Sequence, residues 1–145
     1  MKKTIAAVMA LAAFAAALSG CGSKTYKDGT YTGQSANFEE DEEGGGSGYG
    51  KVSLTIKDGK ITACTFETFE LDGTLKGEDY GMEGGEIKNR DFYNKAQKAN
   101  AARAVYAEEL VNKGSAEEVD AISGATINYN QFTQAVAVAL SEAEE

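Results

Sequence analysis

The dipeptide Asp58-Gly59, set between two runs of alternating apolar residues, constrains this chain more than any other feature. Val52, Leu54 and Ile56 alternate with Ser53, Thr55 and Lys57, the period of a strand with one buried face. Asp-Gly is a strong two-residue hairpin signal, because both turn positions need positive φ. The return strand is predicted from Lys60 to about Leu71, with Ile61, Cys64 and Phe66 as its apolar set. Alternation breaks between Ile61 and Cys64, which predicts a bulge just after the turn. Cys64 then shares a face with Phe66, as a buried and inert thiol. Gly29 to Ser35, with Thr30, Tyr31 and Thr32, reads as an earlier strand. The sheet therefore has at least three strands, in an order the sequence leaves open.

Two helical patterns follow. From Arg90 to Lys113, Phe92, Ala96, Ala99, Ala102, Tyr106 and Leu110 form one stripe, and Gly114 is placed to end the helix. Near the C-terminus, Phe132, Ala135, Val136, Ala139 and Leu140 recur at helical spacing to about Glu142, with Ser141 to Glu145 expected to fray. Asn128 with Gln131 three positions on reads as a capping pair at its start. Glu118 to Asp120 suggests a short last strand. The expected fold class is α+β, a small and mainly antiparallel sheet with two helices packed on it.

The rest is loop. Phe38 to Glu43 is acidic and Gly44 to Gly50 is glycine-rich, the composition of a surface loop. Its carboxylates match no calcium-loop spacing, and its glycines form no dinucleotide fingerprint. Asp72 to Asn89 is long for a connection, a length often associated with function.

The N-terminus predicts export. Met1-Lys2-Lys3 precedes an apolar run from Ile5 to Leu18, too short for a comfortable membrane span and suited to a signal peptide. Leu18-Ser19-Gly20-Cys21 resembles a lipobox, where bacterial processing lipidates the cysteine and cleaves before it. The expected organisation is a leader at 1–20, a lipidated Cys21 and tether at 21–28, and one domain at 29–145, held at the extracytoplasmic face of the cell membrane.

Composition narrows the function. Net charge is −9, and loss of the leader lysines makes it more negative, so affinity for nucleic acid by charge is excluded. There is no histidine, and with Cys21 lipidated only Cys64 remains, which argues against haem, iron–sulfur and the usual zinc sites. An electron carrier of this composition needs an organic cofactor.

The remaining stretch is Asp120-Ala121-Ile122-Ser123-Gly124-Ala125-Thr126. Two small residues sit between two hydroxyls, and the last hydroxyl is presented just outside the expected helix N-terminus. Unpaired N–H groups and the helix dipole there favour an anion. Asp-x-x-Ser-Gly-Ala-Thr is similar to the flavinylation motif of the FMN-binding domain family. The resemblance extends from about Tyr26 onward, including Thr30-Tyr31-Thr32-Gly33 and Lys57-Asp58-Gly59-Lys60-Ile61. It implies FMN held covalently on Thr126 through a phosphodiester, installed by a separate FAD:protein FMN transferase. Asp120, Ser123, Gly124 and Ala125 would form the recognised surround. It further implies an electron carrier between a membrane or quinone-linked donor and an external acceptor, with no catalytic residues or metal site of its own. Within that resemblance Tyr80 and Met82 are candidates to lie against the flavin ring. Arg103 is either a stem along apolar surface or a cation for the flavin. Two other readings fit the same residues: a non-redox lipoprotein that binds a small ligand or a protein partner, and a domain holding flavin noncovalently.

Overall fold

The computed structural model describes residues 24–39 and 46–145. The leader, Cys21 and most of the acidic run lie outside the described residues. Three antiparallel strands, β1 (Gly29–Gln34), β2 (Tyr49–Lys57) and β3 (Lys60–Phe69), lie in the order β1-β2-β3. Two helices, α1 (Arg90–Lys113) and α2 (Thr126–Ala143), pack on one face of this sheet, α1 over β3 and α2 over β1 and β2. The domain is α+β.

The hairpin forms as its residues require. Asp58 and Gly59 take φ of 53° and 76°, the positive values of a tight hairpin turn. Ile56 pairs with Ile61 while Thr55 pairs with Ala63, so Thr62 is the extra residue of a bulge. That bulge puts Cys64 opposite Leu54 and Phe66 opposite Val52, on the helix-covered face. Burial pushes the Cys64 thiol up to about 12, so it is protonated and inert at neutral pH.

The core lies between Val52, Leu54, Ile56 and Phe66 of the sheet and Tyr106, Leu110, Phe132, Ala135, Val136 and Ala139 of the helices. Small residues set its thickness. A Cβ on Gly33 would lie 2.0 Å from the Ala135 carbonyl oxygen and 2.6 Å from the Ala139 nitrogen, so α2 rests directly on the backbone of β1. Helix α1 starts with Asn89, whose side chain accepts from the Phe92 N–H, and stops at Gly114 with φ of 81°.

Four expectations are corrected. Glu118 to Asp120 is not a strand: Ala116–Glu118 forms a 3-10 turn, with the Ser115 side chain accepting from the Glu117 N–H. Helix α2 begins at Thr126, so Asn128 and Gln131 lie inside it and form no capping pair. Asn128 donates to the Ala99 carbonyl at 2.7 Å, tying α2 to α1, and Gln131 is buried. The C-terminus is pinned instead of frayed: Tyr26 bridges Glu144, the Lys27 N–H donates to Ala143 at 2.9 Å, and Lys24 pairs with Glu144. Phe92, the first residue of the α1 stripe, is 38% exposed and contributes little to the core.

Candidate functional site

The motif is a built turn. The Ala125 N–H donates to the Ile122 carbonyl at 2.9 Å, closing a turn with Ser123 and Gly124 at its centre. Gly124 has φ of 85°, the positive value that the third position of a type II turn demands. Beneath it stands Tyr106, fully buried, whose hydroxyl accepts from the Ile122 N–H at 2.8 Å and donates to the Ala125 carbonyl at 3.1 Å. Its ring is held by Phe132 and Tyr129, each with centroid 5.6 Å away. One side chain of α1 thus fixes both ends of the turn that enters α2.

Thr126 is the exposed first residue of α2. Its N-cap is Ala125, which offers no side-chain acceptor to the first turn. The first N–H groups of a helix have no partner within it, so this terminus presents donors and a positive dipole end beside the Thr126 hydroxyl. A further charge comes from α1: the Lys98 ammonium lies 3.5 Å from where a Cβ on Gly124 would stand. Lys98 sits on an exposed helical position and carried no signal in the sequence.

Thr126, Gly124 and Ala125 open into a groove of about 600 Å³, in the size range of small-molecule sites. Lys95, Ala96 and Ala99 of α1 line it, as do Phe92, Tyr80, Lys76 and Gly46. The groove runs along α1. Lys98 and Ala99 lie level with the motif, and Phe92 is two turns away, about 10 Å at 1.5 Å per residue. At that distant end the Tyr80 and Phe92 rings stand 6.4 Å apart. Gln97 donates to the Tyr80 carbonyl at 2.9 Å and Asn100 to the Gly77 carbonyl at 2.9 Å, clamping the long loop to α1.

Other expected site residues lie elsewhere. Asp120 and Ser123 are exposed and are not among the residues lining the groove, and Asp120 bears on the Lys113 charge. Met82 lines a neighbouring cavity of about 590 Å³ that shares Tyr80 and Phe92 with the groove. Arg103 faces a different cleft, between β3 and α1, and donates to the Asn100 carbonyl at 3.1 Å. It also donates to the Thr68 hydroxyl at 3.4 Å, while the cation beside Gly124 is Lys98.

The fold and site define a small α+β domain with an accessible hydroxyl at a helix N-terminus, opening on a cationic and aromatic groove. Residues 45–141, well over half of the chain, match the FMN-binding domain family, and the chain belongs to that family. It is similar to the CPE2226 protein from Clostridium perfringens, whose crystal structure superposes with a TM-score of 0.57 at 26% identity, covering 81% of this chain and 88% of that one. Among curated proteins none matches the chain.

Proposed function

We propose that this protein carries FMN covalently on Thr126 and serves as a lipid-anchored electron carrier on the extracytoplasmic face of the cell membrane. The observation that supports it best is the uncapped start of α2, with an exposed hydroxyl on its first residue and the Lys98 ammonium beside Gly124, two residues before it. FMN has its phosphate and ring at opposite ends of a ribityl chain, and the groove has matching ends. Thr126 and Lys98 suit the phosphate, and Tyr80 and Phe92, about 10 Å along α1, suit the ring.

In the loading reaction the Thr126 oxygen bonds to the FMN phosphorus of FAD, the pyrophosphate bond breaks, AMP leaves and the hydroxyl proton is lost. A separate FAD:protein FMN transferase performs it. The exposed turn around Ser123 and Gly124 gives that enzyme room to approach. The diester keeps one negative charge, which the helix terminus and Lys98 stabilise. Bound flavin supplies electron transfer singly or in pairs, and the protein's part is to hold and expose it. Covalent attachment prevents loss of cofactor outside the cell. The electron source in this reading is a membrane or quinone-linked donor.

The test is coexpression with the transferase, followed by fluorescence in a denaturing gel, intact mass and peptide mapping. FMN is expected on Thr126, absent in Thr126→Ala, partly retained in Thr126→Ser and reduced in Ser123→Ala. The fold of Thr126→Ala should be unchanged, since an exposed hydroxyl contributes little to stability. Loading on Ser123, or persistence in Thr126→Ala, would overturn the assignment. Flavin that binds but is released by denaturation would favour the noncovalent reading.

A further inference from the structure

Lys76 is an unusual wall for a groove in a small surface domain. It is 5% exposed, and its position comes from the loop after β3. The Lys76 N–H donates to the Thr68 carbonyl at 2.9 Å, which fixes the backbone beside the sheet. The side chain is held too. Its ammonium donates to the Ser47 carbonyl at 2.6 Å and lies 4.6 Å from the centroid of the Tyr80 ring. It would stand 3.5 Å from a Cβ on Gly46 and 2.9 Å from a Cβ on Gly48, so glycine at both places leaves room for it. Tyr80 and Gly46 line the same groove as Lys76.

None of the ion pairs among the described residues involves Lys76. Burial lowers its affinity for the proton, Glu70 partly restores it, and Arg103 opposes it. Burying an ammonium costs free energy, and a negative charge placed beside it offsets that cost. The groove lies open beside it. Lys95 lines the groove as well, but on an exposed position where solvent screens its charge.

We propose that Lys76 is the residue that sets the reduction potential of the flavin ring, by placing a buried positive charge beside the ring where negative charge develops on reduction. This inference rests on the groove being the flavin site. Full reduction near neutral pH adds two electrons and one proton to the ring, leaving one net negative charge. The electrons come from an external reductant. A fixed cation in a low-dielectric wall stabilises that charge and raises the potential. The same cation–π contact with Tyr80 keeps the ammonium at the ring end of the groove and away from the diester.

The test uses the flavin-loaded protein, titrated with dithionite against a redox dye and followed by flavin absorbance. Lys76→Met is expected to lower the potential by at least about 30 mV, a tenfold change in a two-electron equilibrium. Lys76→Gln, which keeps a donor for Ser47, should lower it similarly, and Lys76→Arg should restore most of the shift. Lys95→Met should move it by less than a third as much. If Lys76→Met does not fold, Lys76→Gln carries the test, with circular dichroism as the check. An unchanged potential in a folded, loaded Lys76→Gln protein overturns the inference, as does a shift that Lys76→Arg fails to restore. Failure of the wild type to load would instead count against the flavin reading itself.

Discussion

Tyr106 shows how much of this site is decided by single side chains. Its hydroxyl satisfies two backbone groups of the motif turn in a fully buried position. Tyr106→Phe leaves the Ile122 N–H without its acceptor and the Ala125 carbonyl without its donor. An orphaned buried donor costs about 1–3 kcal/mol, so urea denaturation should show a loss in that range with an unchanged m-value. The folded variant should also load flavin more poorly, because the turn presenting Thr126 is no longer fixed. Unchanged stability and loading would mean that the turn holds its shape without the tyrosine. Cys64 supplies a contrasting case. Its thiol, pushed up to about 12 by burial, stays protonated where an unfolded thiol has begun to ionise. Folding stability should therefore fall as pH rises from about 9 toward 12, since the unfolded state loses its proton first. At pH 8, alkylation by iodoacetamide should be slow in the native protein and fast in urea. Rapid native labelling would show that Cys64 opens to solvent.

Among the elements, the contact of α2 with β1 is the tightest. Gly33→Ala would drive a methyl group into the Ala135 carbonyl and the Ala139 nitrogen, both backbone atoms that cannot rotate away. The helix must shift, at a cost of about 1–3 kcal/mol typical of overpacking, and thermal unfolding should report it as a lowered Tm. A Tm equal to the wild type would mean that α2 has slack in its seat. The hairpin, its bulge and both ends of α1 were legible in the sequence, because Asp58-Gly59, the broken alternation at Ile61 and the Gly114 cap are local signals. The start of α2 was not. Asn128 and Gln131 had the spacing of a capping pair, but the helix extends two residues further and Asn128 finds its partner on α1. Tertiary contacts outweighed the local pattern there. The same limit applies to the groove. Thr126, Gly124 and Ala125 were visible as a motif, and Tyr80 as a loop aromatic near it. Lys98 comes beside the motif, and Lys76 and Gly46 onto the far part of the groove, only through tertiary packing on α1, which no periodicity encodes. Glu118 to Asp120 misled for a local reason: Ser115 caps a 3-10 turn there instead.

At the scale of the whole molecule, the two ends of α2 define an orientation. Thr126 is its first residue, and its far end is joined by Tyr26, Lys27 and Lys24. An 18-residue helix holds these ends about 27 Å apart. In the sequence Cys21 precedes Lys24 by three residues. A lipid on Cys21 would therefore tether the end of the domain opposite the site, and the groove would face away from the membrane. The acidic surface acts in the same sense, since a net charge of −9, more negative without the leader, disfavours lying flat on anionic lipid. Electrons from a membrane donor would then reach the flavin through a protein partner and not by contact with the bilayer. Two measurements bear on this. Cys21→Ala should move the protein from the detergent-extracted membrane fraction to the soluble one, or leave unprocessed precursor. With the wild type on liposomes, a quencher attached to lipid headgroups should dim covalent flavin far less than a fluorophore placed at Glu144. Membrane retention of Cys21→Ala together with an unmodified Cys21 in the wild type would remove the anchor. Equal quenching at both positions would show that the domain lies with its groove at the membrane surface, and a direct quinone-linked donor would then become the better reading.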